Sequence, residues 1–429
     1  MTADTAAPTL VRALTRRDLA GILLNAMVGA GMLAAPAKVY AVTGGWSFTV
    51  LLLSAMALLP LILCFADLGS RFSGTGGPYL YVRDGLGRIP AFAAGWLLWI
   101  AQVMSTATLA NLFVSYLAGF APILESGVPR LATIGLLGAV MIGVVIVGIS
   151  PSARVSNALI VIKVAFVALF LIAGLPFVDL GRVETGATPA IDDFATAMLV
   201  YLFAYTGFER GAVLAGEARD PKRDMPAALG ISMIVATLAY AAVLLVCIGT
   251  LADPSTTDRP LAEAGRLLYG SIGAVAVSAG AITVILGTLF VIGIGMPRVL
   301  LALADDGQVP TRFAAIHPRW RTPWIAILLS GVLSYVAAMA SDLLTALTIS
   351  TGSRLISYIL SCIALWRLRN RADAPPAMFK LPAGGIIALF TAALFTGVLL
   401  LGATNELPAL AVVTAGGFVL LLFGKRRAA

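Results

Sequence analysis

The stretch YLFAYTGFERG, Tyr201 to Gly211, interrupts a long apolar run with a glycine and then with two adjacent charged residues, Glu209 and Arg210. A run of this length predicts a buried or membrane-spanning helix, in which charged side chains are costly. A break in the helix would resolve the conflict. Glu209 and Arg210 would then begin a second half-helix, where a first-turn glutamate is favoured by the helix dipole and both side chains can face the protein interior. Glu209 is either a structural cap of that half-helix or a proton-linked or gating residue.

The composition places this run in a membrane protein. Hydrophobic residues make up 60% of the 429-residue chain, charged residues make up 12%, and the mean hydropathy is +0.98. Soluble domains are less apolar, and barrel strands in membranes are only about ten residues long. We therefore predict an all-α membrane protein of about twelve transmembrane helices. The apolar runs lie near 19–42, 46–69, 91–121, 131–149, 154–176, 193–217, 226–251, 270–301, 323–340, 343–366, 383–403 and 406–424.

The basic residues predict how the spans are oriented. Most of the 29 lysines and arginines fall in loops on one side, and loops of this kind stay in the cytoplasm. We predict a multi-pass protein of a bacterial plasma (inner) membrane with both termini cytoplasmic. The same loops account for the pI of 9.6, so the expected partner is the lipid bilayer and not a nucleic acid.

Catalytic and metal-binding residues are scarce. Cys64, Cys247 and Cys362 lie in different runs, and the only histidine, His317, lies in a predicted loop. These residues cannot build a disulfide framework, a metal site or a Ser-His-Asp triad, and the sequence has no P-loop for ATP. We predict that the chain is not an enzyme, has no metal or other cofactor, and uses a solute gradient as its energy source.

The first and sixth runs share an irregularity at about the same depth. The first run starts near Asp18 and reaches Gly29-Ala30-Gly31, and the sixth starts near Asp193 and reaches the segment 204–207. Matching breaks of this kind are typical of transporters built from inverted repeats. We predict one transporter domain, 1–429, with repeats over about 16–176 and 190–370 and two appended helices over about 381–424. Close helix packing is the alternative role for the glycines.

Each predicted break frees backbone groups that need partners in a membrane. The free N–H groups and the positive dipole end after Gly31 suit a carboxylate, and the carbonyls around Phe203 and Ala204 suit an ammonium group. One zwitterionic molecule would fit both breaks.

Four stretches of the sequence resemble the amino acid-polyamine-organocation (APC) superfamily, whose members have the leucine-transporter-like fold. They are VGAGMLAAP at 28–36, FADLGSRFSGTGGPYLYVRDGLG at 65–87, FAYTGFERGAVLAGEARDPKRDMPAAL at 203–229 and RVLLALADDGQVPTRFAAIHPRWRTPW at 298–324. The resemblance implies that backbone amides of the first break hold a substrate carboxylate, that carbonyls of the second break hold its amino group, and that aromatic residues gate the site. The implied binding residues are Gly29, Ala30, Gly31, Phe203, Ala204 and Gly207, and the implied gating residues are Tyr205 and Phe208.

Lys163, near the centre of the fifth run, resembles a lysine found in sodium-independent members of the superfamily, where its ammonium takes the place of sodium. A buried ammonium needs a partner. Lys163 either ties the fifth segment to the carbonyls around Gly29 or titrates and loads a proton in each cycle.

The tenth run carries a polar face that must point into the helix bundle. Its members, at steps of three and four residues, are Ser350, Thr351, Arg354, Ser357, Tyr358 and Ser361. Arg354 departs from the apolar residue that is usual at this place in the superfamily, so its role is not implied by the resemblance. It either pairs with Glu209 or with backbone carbonyls, or it receives a substrate carboxylate. Thr106 in the third run is a further candidate for the pocket, although membrane threonines more often bond within the helix bundle.

Together these observations predict a secondary active transporter that moves an amino acid by alternating access. The central positive charges favour zwitterionic neutral or acidic substrates over basic ones. The transport is either exchange or proton symport, so protons are a second candidate partner. The alternatives are a transporter of a related amine or organic acid, and a channel or sensor on the same fold.

Overall fold

The computed structural model describes residues 15–72, 77–148, 153–183, 186–209 and 221–422, and within these ranges the chain is helical and has no β-strand. The predicted all-α fold is therefore confirmed. The helices are α1 (Arg16–Met27), α2 (Ala30–Thr43), α3 (Ser47–Arg71), α4 (Pro78–Leu86), α5 (Arg88–Leu117), α6 (Gly127–Val147), α7 (Ala153–Gly174), α8 (Ile191–Ala204), α9 (Pro221–Thr250), α10 (Pro260–Asp305), α11 (Trp324–Ala340), α12 (Leu343–Arg369), α13 (Gly384–Gly402) and α14 (Leu407–Leu422).

The apolar helices are long enough for a multi-pass membrane protein. Seven helical segments of the described residues can cross a bilayer by length and composition, and three shorter apolar helices accompany them. The helix α10 is longer than its predicted run because it joins two helices across non-helical backbone at Tyr269 and Gly270. The predicted start at 270 therefore coincides with a kink.

The first predicted break is present, and the second lies at the end of α8. The first apolar run is divided into α1 and α2, and Gly29 between them has extended backbone. Helix α8 ends at Ala204, and a turn of four residues separates it from Glu209, where helical structure resumes. The residues 210–220, including Arg210, lie outside the described residues.

Basic side chains join several helices at one end of the bundle, which we call the arginine-rich end. Asp67 of α3 is fully buried there, and its carboxylate accepts hydrogen bonds from Arg71 at 2.8 Å, from Arg369 of α12, and from the backbone N–H of Leu381 at 2.9 Å. Arg88 at the start of α5 donates to the carbonyl oxygen of Gly307, just after α10. Asp67 thus anchors a loop, which is the structural role that a buried, multiply bonded carboxylate favours.

Candidate substrate-binding site

The two breaks lie against each other, and each presents a glycine to the helix end of the other. A Cβ atom on Gly31 would overlap the backbone of Ala204 at the end of α8, and would lie 2.8 Å from its Cβ atom. A Cβ atom on Gly207 would lie 2.7 Å from the carbonyl oxygen of Ala26, one residue before α1 ends. Gly207 also has φ of +116°, which favours glycine. The two glycines therefore allow the helix ends to pack closely, and this close packing is what brings the two breaks together.

The carbonyl groups that end α1 have partners from distant helices. A helix end leaves four carbonyl oxygens without a donor from its own helix. The ammonium of Lys163 on α7, which is 7% exposed, donates to the carbonyl oxygen of Asn25 at 3.0 Å. The hydroxyl of Tyr240 on α9 lies 2.7 Å from the carbonyl oxygen of Met27. The oxygen of Leu24 accepts locally, from the N–H of Val28.

The carbonyl groups that end α8 are bonded mainly within their own turn. The oxygen of Tyr201 accepts from the N–H of Tyr205, and the oxygen of Phe203 accepts from both the N–H and the hydroxyl of Thr206, at 3.1 and 2.8 Å. The oxygen of Ala204 accepts from Tyr240 at 2.8 Å. Of the two carbonyls proposed from the sequence, that of Phe203 is thus already doubly bonded, and that of Ala204 faces a side chain of another helix.

Tyr240 connects the two breaks, and the sequence reasoning missed it. Its single hydroxyl lies within hydrogen-bonding distance of both Met27 and Ala204, the last residues of α1 and α8. A hydroxyl has one proton, so it can donate to only one of the two oxygens at a time. The negative dipole ends of two helices therefore meet at a point where one further donor can be accommodated.

The start of α2 offers donors next to these acceptors. Gly29 is the N-cap of α2 and has no side-chain capping hydrogen bond, and the N–H of Met32 bonds weakly, at 3.3 Å, to the oxygen of Gly29. The N–H groups of Ala30 and Gly31 belong to the same first turn. Helix N-termini of this kind bind carboxylates and other anions.

Glu209 and Arg354 form a buried ion pair beside the second break. Glu209 accepts from the N–H of Gly207 at 2.8 Å and lies 3.5 Å from the Arg354 guanidinium, and both residues are less than 10% exposed. The guanidinium also donates to the hydroxyl of Ser105 on α5 at 3.3 Å. Near the breaks the described charges are two cations, Lys163 and Arg354, against one anion, Glu209.

Three aromatic rings pack together beside the second break. Phe65, Phe208 and Tyr358 pack against one another with ring centroids 5.2–5.4 Å apart, and we call these three residues the aromatic cluster. Tyr205 lies elsewhere: its ring is 5.0 Å from that of Tyr240, and its hydroxyl donates to Thr237. The two aromatic residues implied as gates by the superfamily therefore occupy different places.

Thr106 bonds within its own helix, and a small cavity lies near the two breaks. The hydroxyl of Thr106 donates to the oxygen of Gln102 on its own helix, at 3.0 Å. A cavity of about 10 Å³ touches Tyr240 and is otherwise lined by Met32, Ala35, Pro36, Tyr201 and Leu244. That volume holds about one water molecule.

Comparison with known proteins identifies the family of the chain. The profile described as "Amino acid permease" matches residues 14–420. The chain belongs to the amino acid permease family of the APC superfamily. The family consists of transporters and not enzymes, so the expectations of a multi-pass membrane protein and of no enzymatic activity are confirmed.

Three relatives from Bacillus subtilis (strain 168) match over most of their length. A methylthioribose transporter is 26% identical, with 91% of this chain and 88% of the relative aligned. The serine/threonine exchanger SteT is 27% identical, with 84% of each chain aligned. The branched-chain amino acid permease BcaP is 26% identical, with 88% of this chain and 85% of the relative aligned. Transporters named for different substrates thus align with most of this chain.

Proposed function

We propose that this chain is a secondary active transporter of an amino acid, with its substrate held where the two helix breaks meet. The observation that carries the proposal is the position of Tyr240, whose one hydroxyl spans the carbonyl ends of α1 and α8 beside the N-terminus of α2. An ammonium group has three donors and can serve both carbonyls, and the carboxylate of the same molecule can accept from the amides of Ala30 and Gly31.

In this mechanism Tyr240 occupies the acceptors until the substrate arrives. Substrate binding satisfies both carbonyls and screens the two negative dipole ends from each other, which stabilises a conformation in which the half-helices have rearranged around the ligand. Movement of α1 with the turn after α8 would open the site alternately to the two membrane faces. The arginine-rich end is the cytoplasmic face in this account, because basic loops remain inside.

Lys163 holds α1 in a defined position during the cycle. Its hydrogen bond to the oxygen of Asn25 ties α7 to the half-helix that must move. A permanent cation in this place substitutes for a bound metal cation as a partner of freed carbonyls, whereas a titrating lysine would release α1 when it loses its proton. A permanently charged Lys163 corresponds to exchange, and a Lys163 that gains and loses a proton corresponds to proton symport.

The charges around the breaks favour neutral or acidic substrates. Lys163 and Arg354 outnumber Glu209 among the described central charges, so a basic side chain would meet net repulsion. Since one relative is named as a methylthioribose transporter, an uncharged thiosugar is included in the test as a second substrate class.

Counterflow in proteoliposomes tests the proposal. Vesicles are loaded with a high concentration of one unlabelled amino acid, and uptake of the same labelled amino acid is followed with and without an imposed pH gradient. A transporter gives transient, saturable accumulation with a neutral or acidic amino acid. Strongest counterflow with arginine or lysine would overturn the charge argument, and flux without saturation or counterflow would indicate a channel instead.

Acceleration by the pH gradient alone would indicate proton symport, and acceleration by internal amino acid alone would indicate exchange. Counterflow with methylthioribose but with none of the amino acids would mean that the substrate is a thiosugar. The proposal that the chain is a transporter would then stand, and the proposed substrate class would be wrong. Vesicles without protein provide the background in every arm.

A further inference from the structure

The guanidinium of Arg354 is buried with fewer acceptors than it has donors. Arg354 is 5% exposed, and a guanidinium carries five N–H donors. Its contacts are long: 3.5 Å to a carboxylate oxygen of Glu209 and 3.3 Å to the hydroxyl of Ser105. Its Nε atom is fully buried and has no hydrogen-bond partner among the described residues. A buried charged donor in this state requires another acceptor, because desolvation without a hydrogen bond is costly.

The serine hydroxyls next to Arg354 already donate their protons to other acceptors. Ser350 donates its proton to the oxygen of Ala101 at 2.7 Å, so the 2.8 Å contact between Ser105 and Ser350 must use the proton of Ser105. The Ser105 oxygen is left as an acceptor for Arg354. The polar chain from Arg354 through Ser105 and Ser350 to Ala101 thus fixes one edge of the guanidinium against α5.

Glu209 contacts both the second break and Arg354. One of its carboxylate oxygens accepts from the N–H of Gly207 at 2.8 Å and so caps the second break. The other faces Arg354 at 3.5 Å, which is longer than the 2.7–2.9 Å of a strong charge-assisted hydrogen bond. The ion pair therefore balances the two charges, but it is not a bidentate pair in which two nitrogens of the guanidinium bond to one carboxylate.

A second buried donor lies one turn away on the same helix face. Ser357 follows Arg354 by three residues on α12, is fully buried, and its hydroxyl has no hydrogen-bond partner in the described part of the chain. Tyr358 of the aromatic cluster directly follows Ser357 on α12.

We infer that Arg354 and Ser357 form a subsite for the side-chain carboxylate of an acidic amino acid. This inference rests on the proposed function and names the substrate class of the same site. A carboxylate accepts from Nε and one terminal nitrogen of arginine in a bidentate arrangement, and its remaining lone pairs suit a hydroxyl. The α-amino and α-carboxylate groups lie at the breaks, and the side chain extends past Gly207 towards Arg354.

The test compares acids with their amides, which differ little in size but lack the second negative charge. Competition of L-glutamate against L-glutamine, and of L-aspartate against L-asparagine, is measured on purified full-length protein in proteoliposomes. At least one acid is expected to bind about tenfold or more tightly than its amide, since bonds to charged groups are strong when desolvated. Equal affinity within both pairs overturns the subsite, while binding of any amino acid leaves the proposed function standing.

Two variants test whether Arg354 and Ser357 cause the preference for the acid over its amide. Arg354→Gln should remove the preference for the acid while binding of the amide persists, and Ser357→Ala should reduce it by a smaller factor. The matched control is Arg83→Gln, which removes an arginine that pairs with Asp306 at the surface of the arginine-rich end and should leave the ratio unchanged. An unchanged ratio in Arg354→Gln would show that the residue is only a structural partner of Glu209.

If Arg354→Gln does not fold, Arg354→Lys gives the second measurement. Lysine retains the charge but lacks the fork, so the ratio of acid to amide affinity should fall towards one. A ratio equal to that of the unmodified protein would contradict bidentate recognition. Failure of every amino acid in the panel to bind would overturn the proposed function and, with it, the subsite.

Discussion

The two helix breaks meet at one point, but they are held in different ways. The end of α1 relies on side chains from α7 and α9, namely Lys163 and Tyr240. The backbone groups of the turn after α8 are bonded mainly by residues of the same turn, Thr206 and Glu209, and Tyr240 adds a hydroxyl that also lies at the first break. The second break can therefore keep its shape while it moves, whereas the first changes partners when α1 moves. The position of the end of α1 therefore depends more on side chains from other helices than the shape of the turn after α8 does.

The largest effect is expected for Lys163→Ala. The change removes the buried cation from the oxygen of Asn25, so exchange and net uptake should both fall by at least about tenfold if Lys163 only positions α1. If the lysine instead carries the proton, exchange should persist and only the response to a pH gradient should disappear. Both activities are measured in the same proteoliposomes. Normal rates in both assays would exclude either role.

The next effect concerns the glycines of the first break. A Cβ atom on Gly31 overlaps Ala204, so Gly31→Ala should cost about 1–3 kcal/mol of stability, measured as a lower Tm in detergent. The matched control is Gly29→Ala, whose Cβ atom would meet its nearest neighbour at 3.8 Å.

Gly29→Ala should leave the stability within about 0.5 kcal/mol. Because Gly29 lies beside the amides proposed to hold the carboxylate, a bulkier residue there, Gly29→Leu, should weaken substrate binding while the protein remains folded. Equal Tm values for the two alanine variants would contradict the close contact of Gly31 with Ala204.

Tyr240→Phe removes a hydroxyl that lies within hydrogen-bonding distance of both breaks. The substrate-free protein should lose about 1–3 kcal/mol, since the buried carbonyls of Met27 and Ala204 lose the one hydroxyl donor that lies between them. If a substrate ammonium replaces the hydroxyl, the rise in Tm on adding a transported amino acid should be larger in the variant than in the unmodified protein. A smaller rise would show that the hydroxyl itself contributes to substrate binding.

The smallest effect is expected for Thr206→Val. The oxygen of Phe203 would lose the hydroxyl donor at 2.8 Å but keep the N–H of residue 206 at 3.1 Å. Loss of one of two local donors should cost about 0.5–1.5 kcal/mol and should leave transport nearly unchanged. A loss as large as that of Lys163→Ala would mean that the second break is no more self-contained than the first.

The fold and the depth of both breaks could be predicted from the sequence, because apolar length and glycine position depend on local composition. The need of Lys163 and Arg354 for partners could also be predicted, since buried charges need compensation. The role of Tyr240 could not, because a single tyrosine in ATLAYAAVLL has no periodic signal and its position depends on how α9 packs against α1 and α8. The local bonding of Phe203 depends on the geometry of one turn, which the sequence pattern does not specify.

The most direct test of the shared site uses ligands that lack one of the two charged groups of an amino acid. For L-glutamate these are γ-aminobutyrate, which lacks the α-carboxylate, and glutarate, which lacks the amino group; for L-leucine they are isoamylamine and isocaproate. Each is tested in competition with the parent amino acid that gives the strongest counterflow. We predict that each analogue competes roughly 10- to 100-fold more weakly than the parent, because each leaves either the carbonyls that end α1 and α8 or the amides that begin α2 without a partner. An analogue that competes as well as the parent would contradict the account, since the backbone groups assigned to the missing charge would not contribute to the site.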